Sequence, residues 1–434
     1  MNRAHRFVRN GPYSPADARI VQVQRKGQGA PDMQRVFVMT DPVPGRRLTI
    51  SILLLASLTI MANATIAPSL PGLKAHFADV AGIDTLSGLL LSLPSAAIVL
   101  TAGLFGWLAD RMDRQRLLAL AAVLYAVGGT SGLWADTFAQ MLAGRVVLGV
   151  GVAGTMTLGM AWAADLWQGP ARARFLGMQG AAMSAGGIVV MLLGGAAALL
   201  HWCGAFAVYG LVLPVAAFAL MTLAPHARRI NAARAMPAQT AASEPFPWRA
   251  FAVVGPLAFV FMTTFYVMPT RLPFLMEGLG ISNTLVIGGT MALMTVASVP
   301  GSLLYGRIRQ RVTPMAVFAG SFVLMGLGLM LVAQATGIAM VMAGVILAGI
   351  GMGPSMPNYT TYFMAHVPPS LRGRASGLLT TAFFAGQFVS PLATAPLVAT
   401  FRLSGAFAVV GLIVMGLGLA IAVVGRPLAT PIAV

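Results

Sequence analysis

Apolar residues fall along this chain in long, nearly unbroken stretches, separated by short intervals where charge and proline collect. A hydrocarbon core of roughly 30 Å needs about 20 apolar residues per helix. On that measure the pattern predicts twelve crossings, near 48–70, 86–108, 117–135, 138–162, 175–200, 204–224, 250–272, 284–305, 315–334, 337–364, 375–398 and 404–424. In lipid the backbone must satisfy its own hydrogen bonds, and segments this long and uniformly apolar do so as helices. An interval rich in Ala, Pro and Arg, 225–248, divides them into two sets of six, 48–224 and 249–426, and 427–434 forms a tail. Residues 1–47 are expected to be a disordered basic tail, or an over-extended gene start with Met39 as initiator.

The second six stretches repeat the first at a spacing of 200 residues. Gly106 pairs with Gly306, Gly144 with Gly344, Gly149 and Gly151 with Gly349 and Gly351. Arg172, Arg174 and Gly177 pair with Arg372, Arg374 and Gly377, and Gly186 with Gly386. The implied fold class is an all-α membrane protein of twelve helices in two pseudo-symmetric six-helix bundles. A parallel repeat of this kind sets a pseudo-two-fold axis along the membrane normal, with a solute site expected between the halves near the bilayer midplane. Prolines recur in spans 1 and 7, Pro68 and Pro71 against Pro269 and Pro273, which predicts kinks at related depths.

Composition agrees: 58% of residues are hydrophobic, 9% are charged, and the mean hydropathy is +0.82, whereas a soluble domain carries about a quarter charged residues. The net charge of +17 is a topology signal rather than a nucleic-acid footprint. Nine of the 28 Lys and Arg precede the first helix, and fifteen lie in the even-numbered loops and the C-terminal tail. The odd-numbered loops hold only Lys74, Arg271 and Arg402, and Arg145 stands alone inside a span. Cytoplasmic loops carry the Lys/Arg excess, so both termini are expected in the cytoplasm. The strong preference for Arg over Lys, with abundant Ala and Gly, points to a bacterial inner membrane. One cysteine, Cys203, rules out an internal disulfide and a multi-thiolate metal site, and the five histidines are scattered, so neither metal nor cofactor is expected. No phosphate-binding Gly-rich loop of an ATP-driven pump occurs, and no nucleophile–base pair suggests an enzyme.

After span 2 the chain reads Gly106-Trp107-Leu108-Ala109-Asp110-Arg111-Met112-Asp113-Arg114-Gln115-Arg116. This resembles the loop motif of the major facilitator superfamily, G-x-x-x-D-R-x-G-R-[RK]-[RK], departing at Asp113 and Gln115. A carboxylate among arginines at a helix end can hold a neighbouring helix by charge and by its terminal dipole. In that family the acidic residue latches the cytoplasmic gate, which implies a gating role for Gly106, Asp110, Arg111 and Arg114. The matching loop of the second half, from Gly306, lacks the acid, while Arg372 lies in a later loop that also looks like the superfamily.

Span 4, Gly144-Arg145-Val146-Val147-Leu148-Gly149-Val150-Gly151, resembles the family's R-x-x-x-G-x-G element. Span 5 places Gly177, Gly186, Gly194 and Gly195 in register with the G-x8-G-x3-G-P-x2-G-G element of its twelve-span drug:proton antiporters. The central Gly-Pro is replaced by Val190-Met191, while Ser390-Pro391 stands at the matching place in span 11. Pro68, Gly186, Gly194, Gly195 and Pro391 are therefore expected to serve helix packing and kinking. The resemblance covers roughly residues 48–424 and is silent on substrate.

In that family spans 1, 4, 7 and 10 line the cavity, which nominates Asn63, Arg145, Tyr266, Asn358, Tyr359 and Tyr362 as substrate contacts. A charge in hydrocarbon is costly and usually faces a cavity or a partner, so Arg145 is open to either an anion-binding or a structural role. No Asp or Glu lies in the middle of any predicted span, and 27 methionines suit an adaptable apolar pocket. The resulting expectation is a monomeric secondary transporter working by alternating access and exporting small apolar compounds. Its expected partners are a small-molecule substrate and the lipid bilayer, with protons as an open option and no nucleic acid. The alternatives are an uptake permease for a small organic anion and a non-transporting membrane sensor.

Overall fold

A helix that crosses a bilayer must start and stop on polar residues, and this chain supplies caps at several of those places. The structure, a computed structural model, describes residues 18–24, 33–39, 45–167, 169–226, 245–368 and 371–424. Most of the 225–248 linker and all of 427–434 lie outside the described residues, as do the side chains of Asn63 and Asp110. Asp113 caps span 3 by accepting from the backbone N–H of Gln115 at 2.7 Å and Arg116 at 3.2 Å. Thr137 and Gln140 form a reciprocal capping box at the start of span 4. Asn283 and Thr313 cap spans 8 and 9, the latter with Pro314 in the first turn.

The membrane part is entirely helical. Span 1 comprises Arg46–Ala64, a 3-10 turn at Ala67–Ser69, and Leu70–His76. Spans 2 to 6 are Ile83–Arg111, Arg114–Gly129 with its 3-10 extension Thr130–Leu133, Phe138–Leu166, Gly169–Leu200 and Gly204–Leu223. Spans 7 to 10 are Trp248–Gly278, Thr284–Leu303, Pro314–Ala333 and Ile338–Ala365. The last helical run, Arg372–Val424, has 53 residues. At 1.5 Å per residue it would measure about 80 Å, far more than one crossing. It reverses at Arg402, whose φ of 59° and ψ of −178° break the helix, so 372–401 and 403–424 are spans 11 and 12. Twelve crossings result, as the hydrophobic pattern predicts.

Three details differ from that pattern. Span 1 does bend near Pro68, but span 7 stays continuously helical through Pro256, Pro269 and Pro273. Hydroxyl back-bonds occur in both, since in span 7 Thr270 donates to the Tyr266 carbonyl beside Pro269 at 2.7 Å. In span 1 the Thr65 and Ser69 hydroxyls turn back onto the carbonyls of Met61 and Ile66, at 2.6 and 2.8 Å, beside the tightened turn. Second, the tail contains an antiparallel hairpin, Ala18–Gln24 with Met33–Met39, where the sequence suggested disorder. Both strands are rich in β-branched residues, which suit a pleated ladder. Third, Lys74 and Arg271 lie within helices rather than in loops.

The two halves repeat in packing as they do in sequence. Span 3 crosses span 4 where a Cβ on Gly128 would stand 2.5 Å from the Gly144 carbonyl. Two hundred residues later span 9 crosses span 10 where a Cβ on Gly328 would stand 2.6 Å from the Gly344 carbonyl. Such close backbone approach is how small residues let helices associate where the surroundings are as apolar as the helices themselves.

Candidate functional site

The halves meet through spans 2 and 11, spans 5 and 8, and the far ends of spans 1 and 7. We call the face carrying Arg46, Leu223 and Trp248 proximal, and the opposite face distal. Every described hydrogen bond between the halves lies from the membrane middle toward the distal face. The Thr284 hydroxyl donates to the Gly195 carbonyl at 2.7 Å. Ser95 donates to Gln387 at 2.9 Å and Ser92 to the Phe388 carbonyl at 3.4 Å. Arg271 donates to the Asp84 carbonyl at 3.0 Å. Packing is as tight as bonding there: a Cβ on Gly195 would lie 2.7 Å from the Thr284 carbonyl, and one on Gly88 would lie 2.8 Å from Pro391. Toward the proximal face the same spans carry Gly106, Gly177, Gly180, Gly373 and Gly377, and a Cβ on any of these meets nothing within 4 Å. Among the described residues, the bonds that join the halves thus lie on the distal side.

Beneath this seal lies a small cavity of about 20 Å³. Met191 of the first half faces Phe265, Met268, Pro269 and Leu272 of span 7, Met291, Met294 and Thr295 of span 8, and Val345 of span 10. Four thioethers, one aromatic ring and a single hydroxyl make a lining that adapts in shape and offers no charge. Ligand pockets are typically apolar with few polar groups.

The polar residues nominated from sequence mostly lie elsewhere. Arg145 is 0% exposed and sits inside the first half. Its guanidinium carbon lies 4.6 Å from the Phe206 ring centroid and 4.9 Å from that of Tyr209, and Nη2 donates to the Gly129 carbonyl at 3.0 Å. Nε and Nη1 find no hydrogen-bond partner, so the stacked rings carry most of its compensation. Asn358 is buried within the second half, where Nδ2 donates to the Pro314 carbonyl and Oδ1 accepts from the Tyr305 hydroxyl, both at 3.0 Å. The Tyr359 hydroxyl donates to the Leu257 carbonyl at 2.9 Å while its ring packs between Phe261 and Phe318. Both residues, expected to line the cavity, instead tie helices of one bundle together, because a polar group in hydrocarbon takes the nearest backbone partner. Tyr362 is half-buried against Phe318 and His366. Tyr266 is buried, with its hydroxyl turned toward Ser95 of span 2 across the halves. The Asn63 side chain lies outside the described residues.

The described contacts of the loop residues nominated for gating are local ones. Arg111 stacks on Trp107, its guanidinium carbon 4.0 Å from the ring centroid. Arg114 pairs with Asp165 at the proximal end of span 4 and also donates to the Ala109 carbonyl. Arg372 is exposed at the start of span 11, and the side chain of Asp110 lies outside the described residues. The departure at Asp113 has a local cause, since that residue is the cap of span 3. The packing residues all make contact. A Cβ on Gly186 would lie 2.7 Å from Ser57, and one on Gly194 would lie 2.0 Å from the Thr65 carbonyl. Pro68 faces Gly288 across the halves, while Pro391 faces Gly88 and offers its carbonyl to Arg271.

Sequence reasoning missed two things. Arg271 is 3% exposed and stands at the distal joint, although a charge near a predicted helix end reads as loop. The pocket lining was invisible because apolar residues look like core. One signal was present: Met191 stands where the antiporter element has proline.

Comparison with known proteins is consistent across methods. The family model described as Major Facilitator Superfamily matches residues 52–391. Over 112 residues the chain is 33% identical to the minor myo-inositol transporter of Bacillus subtilis (strain 168), covering 25% of this chain and 26% of that protein. Over 86 residues it is 30% identical to the bacillibactin exporter of the same organism, covering 19% and 21%. These matches span about a quarter or less of those relatives' length. Among solved structures, a POT family transporter in complex with 5-aminolevulinic acid aligns with a TM-score of 0.71 at 11% identity, covering 90% of this chain and 99% of that chain. At that identity the likeness is one of fold.

Proposed function

The chain belongs to the major facilitator superfamily, and on that premise we propose that it exports small, largely apolar compounds by alternating access. The observation that carries this reading is the uncharged, methionine-rich lining of the small cavity under the distal seal, where Met191 of the first half meets eight residues of the second. Wherever the halves part along this lining, an apolar solute gains roughly 25 cal/mol for each Å² it removes from water. A charged solute would lose its hydration with no counter-charge among the lining residues. Neutral compounds are favoured over anions for a second reason: Arg145, the anchor an anion permease would need, is stacked inside the first half.

Under the inside-positive rule the proximal face is cytoplasmic, so both termini lie inside and the bonds that join the halves lie away from the cytoplasm. The Arg-rich composition supports a bacterial inner membrane. Export draws support from the glycines of span 5, which match the antiporter element, and from the exporter among the partial relatives. Protons are the coupling ion to test, although the absence of a carboxylate in mid-span weakens a simple carboxylate relay.

The test is accumulation of labelled solutes in deletion and overexpressing cells, with and without a protonophore. Two solutes of similar size, one neutral and lipophilic and one an organic anion, are compared. The reading requires lower retention of the neutral solute on overexpression, reversed by the protonophore if protons drive the cycle. Increased uptake of the anion would overturn it.

A further inference from the structure

We propose that Arg271 is the latch of the distal face, holding the halves together through a backbone carbonyl rather than through an ion pair. Its three guanidinium nitrogens each have an acceptor. Nε donates to the Thr394 hydroxyl at 3.2 Å and Nη2 to the Pro391 carbonyl at 3.1 Å, both in span 11 of its own half. Nη1 reaches across to the Asp84 carbonyl in the first turn of span 2, at 3.0 Å. Arginine keeps its charge at every accessible pH and presents donors in a fixed fork. The two bonds to span 11 aim that fork, and the third closes the joint.

The acceptor is itself held in place. Gly82, at φ of 76°, turns the chain into span 2 in a left-handed conformation that a side chain would strain. The Asp84 carboxylate is taken by Lys74 at the distal end of span 1, and the Lys74 ammonium lies 5.7 Å above the Phe274 ring of span 7. Lys74 and Asp84 are both substantially exposed, whereas Arg271 is buried. When the distal face opens, Nη1 must leave its carbonyl while the other two bonds can persist. A hydrogen bond to a charged group shifts an equilibrium by roughly ten- to a hundredfold, enough for this one bond to set how long the seal lasts. The inference rests on the alternating-access reading, but its test reads conformation and not transport.

In a Cys203→Ser background, a reporter cysteine at Ser92, buried in the seal, is labelled from outside intact cells with a membrane-impermeant maleimide. A cysteine at the exposed Ala78 gives the reference rate. Arg271→Gln should raise the Ser92 labelling rate about tenfold or more. Asp84→Asn keeps the backbone carbonyl and should stay within about threefold of the parent, as should Thr394→Val. Should Arg271→Gln fail to reach the membrane, Arg271→Lys supplies the second perturbation, with a smaller increase expected because a single ammonium cannot hold the three acceptors of the guanidinium fork. Unchanged labelling in Arg271→Gln at normal abundance, or equal opening by Asp84→Asn, overturns the proposal. Parent labelling as fast as at Ala78 would instead sink the alternating-access reading beneath it.

Discussion

Gly195→Ala is the substitution whose effect follows most directly from the geometry. The added methyl would sit 2.7 Å from the Thr284 carbonyl and 3.1 Å from the Leu285 Cα, both backbone atoms of the opposite half. Neither can swing aside as a side chain would, so the clash is relieved only by moving spans 5 and 8 apart. Overpacking of this kind costs about 1–3 kcal/mol. The Thr284-to-Gly195 hydrogen bond, at 2.7 Å, is strained by the same movement. In a distally open state span 8 has withdrawn and the clash is gone, so its cost falls on one conformation. A bias of 1–3 kcal/mol corresponds to a shift of roughly 5- to 150-fold toward the open state. Replacing Gly by Ala inside a helix adds about 1 kcal/mol of stability in both states, so melting temperature should not fall. Spin labels at Ala78 and Glu277, exposed on opposite halves at the distal face, would report the change by double electron–electron resonance in a Cys203→Ser background. A longer distance population should grow in Gly195→Ala. In Gly194→Ala, whose methyl strikes the Thr65 carbonyl within the first half, stability should drop without that shift. An unaltered distance distribution in Gly195→Ala would refute the reasoning.

Other outcomes follow from single contacts. Arg145→Met should leave KM for a neutral solute within about threefold, because a buried cation replaced by an apolar side chain of similar volume is often tolerated; a tenfold rise in KM would place Arg145 in the solute path. Met191→Asp puts a carboxylate into the uncharged pocket and should raise KM for apolar solutes at least about tenfold at neutral pH, whereas an unaltered KM would move the binding site elsewhere. Asp113→Ala removes the span 3 cap, so thermal melting should show a loss of about 1 kcal/mol, with no loss indicating that the cap is replaceable by water.

Much of the architecture was legible from residues alone, for a reason specific to membranes. Hydrocarbon offers no partner to a bare backbone, so a run such as 404–424 has one local solution, and the repeated glycines mark where two such solutions touch. The site was less legible because polarity within an apolar span has two solutions. Asn358 and Tyr359 satisfy themselves on the Pro314 and Leu257 carbonyls, and no sequence pattern reveals that those carbonyls are within reach. Arg271 illustrates the opposite error. Its charge suggested a loop, yet three acceptors from two other helices make burial tolerable, and those acceptors lie more than a hundred residues away in sequence. The pocket lining was hidden for a third reason, since its thioethers differ from ordinary core only in which bundle they face.

The reversal at Arg402 joins the last two crossings with a single non-helical residue. Span 11 takes part in the joint with the first half, while Leu412, Ile413, Leu419 and Val423 of span 12 are turned outward. A hinge with no slack passes displacement straight from one rod to the next. On the alternating-access reading, each swing of the inner rod is delivered to the protein's outer wall, so thickness and lateral pressure of the surrounding lipid enter the energetics of that cycle.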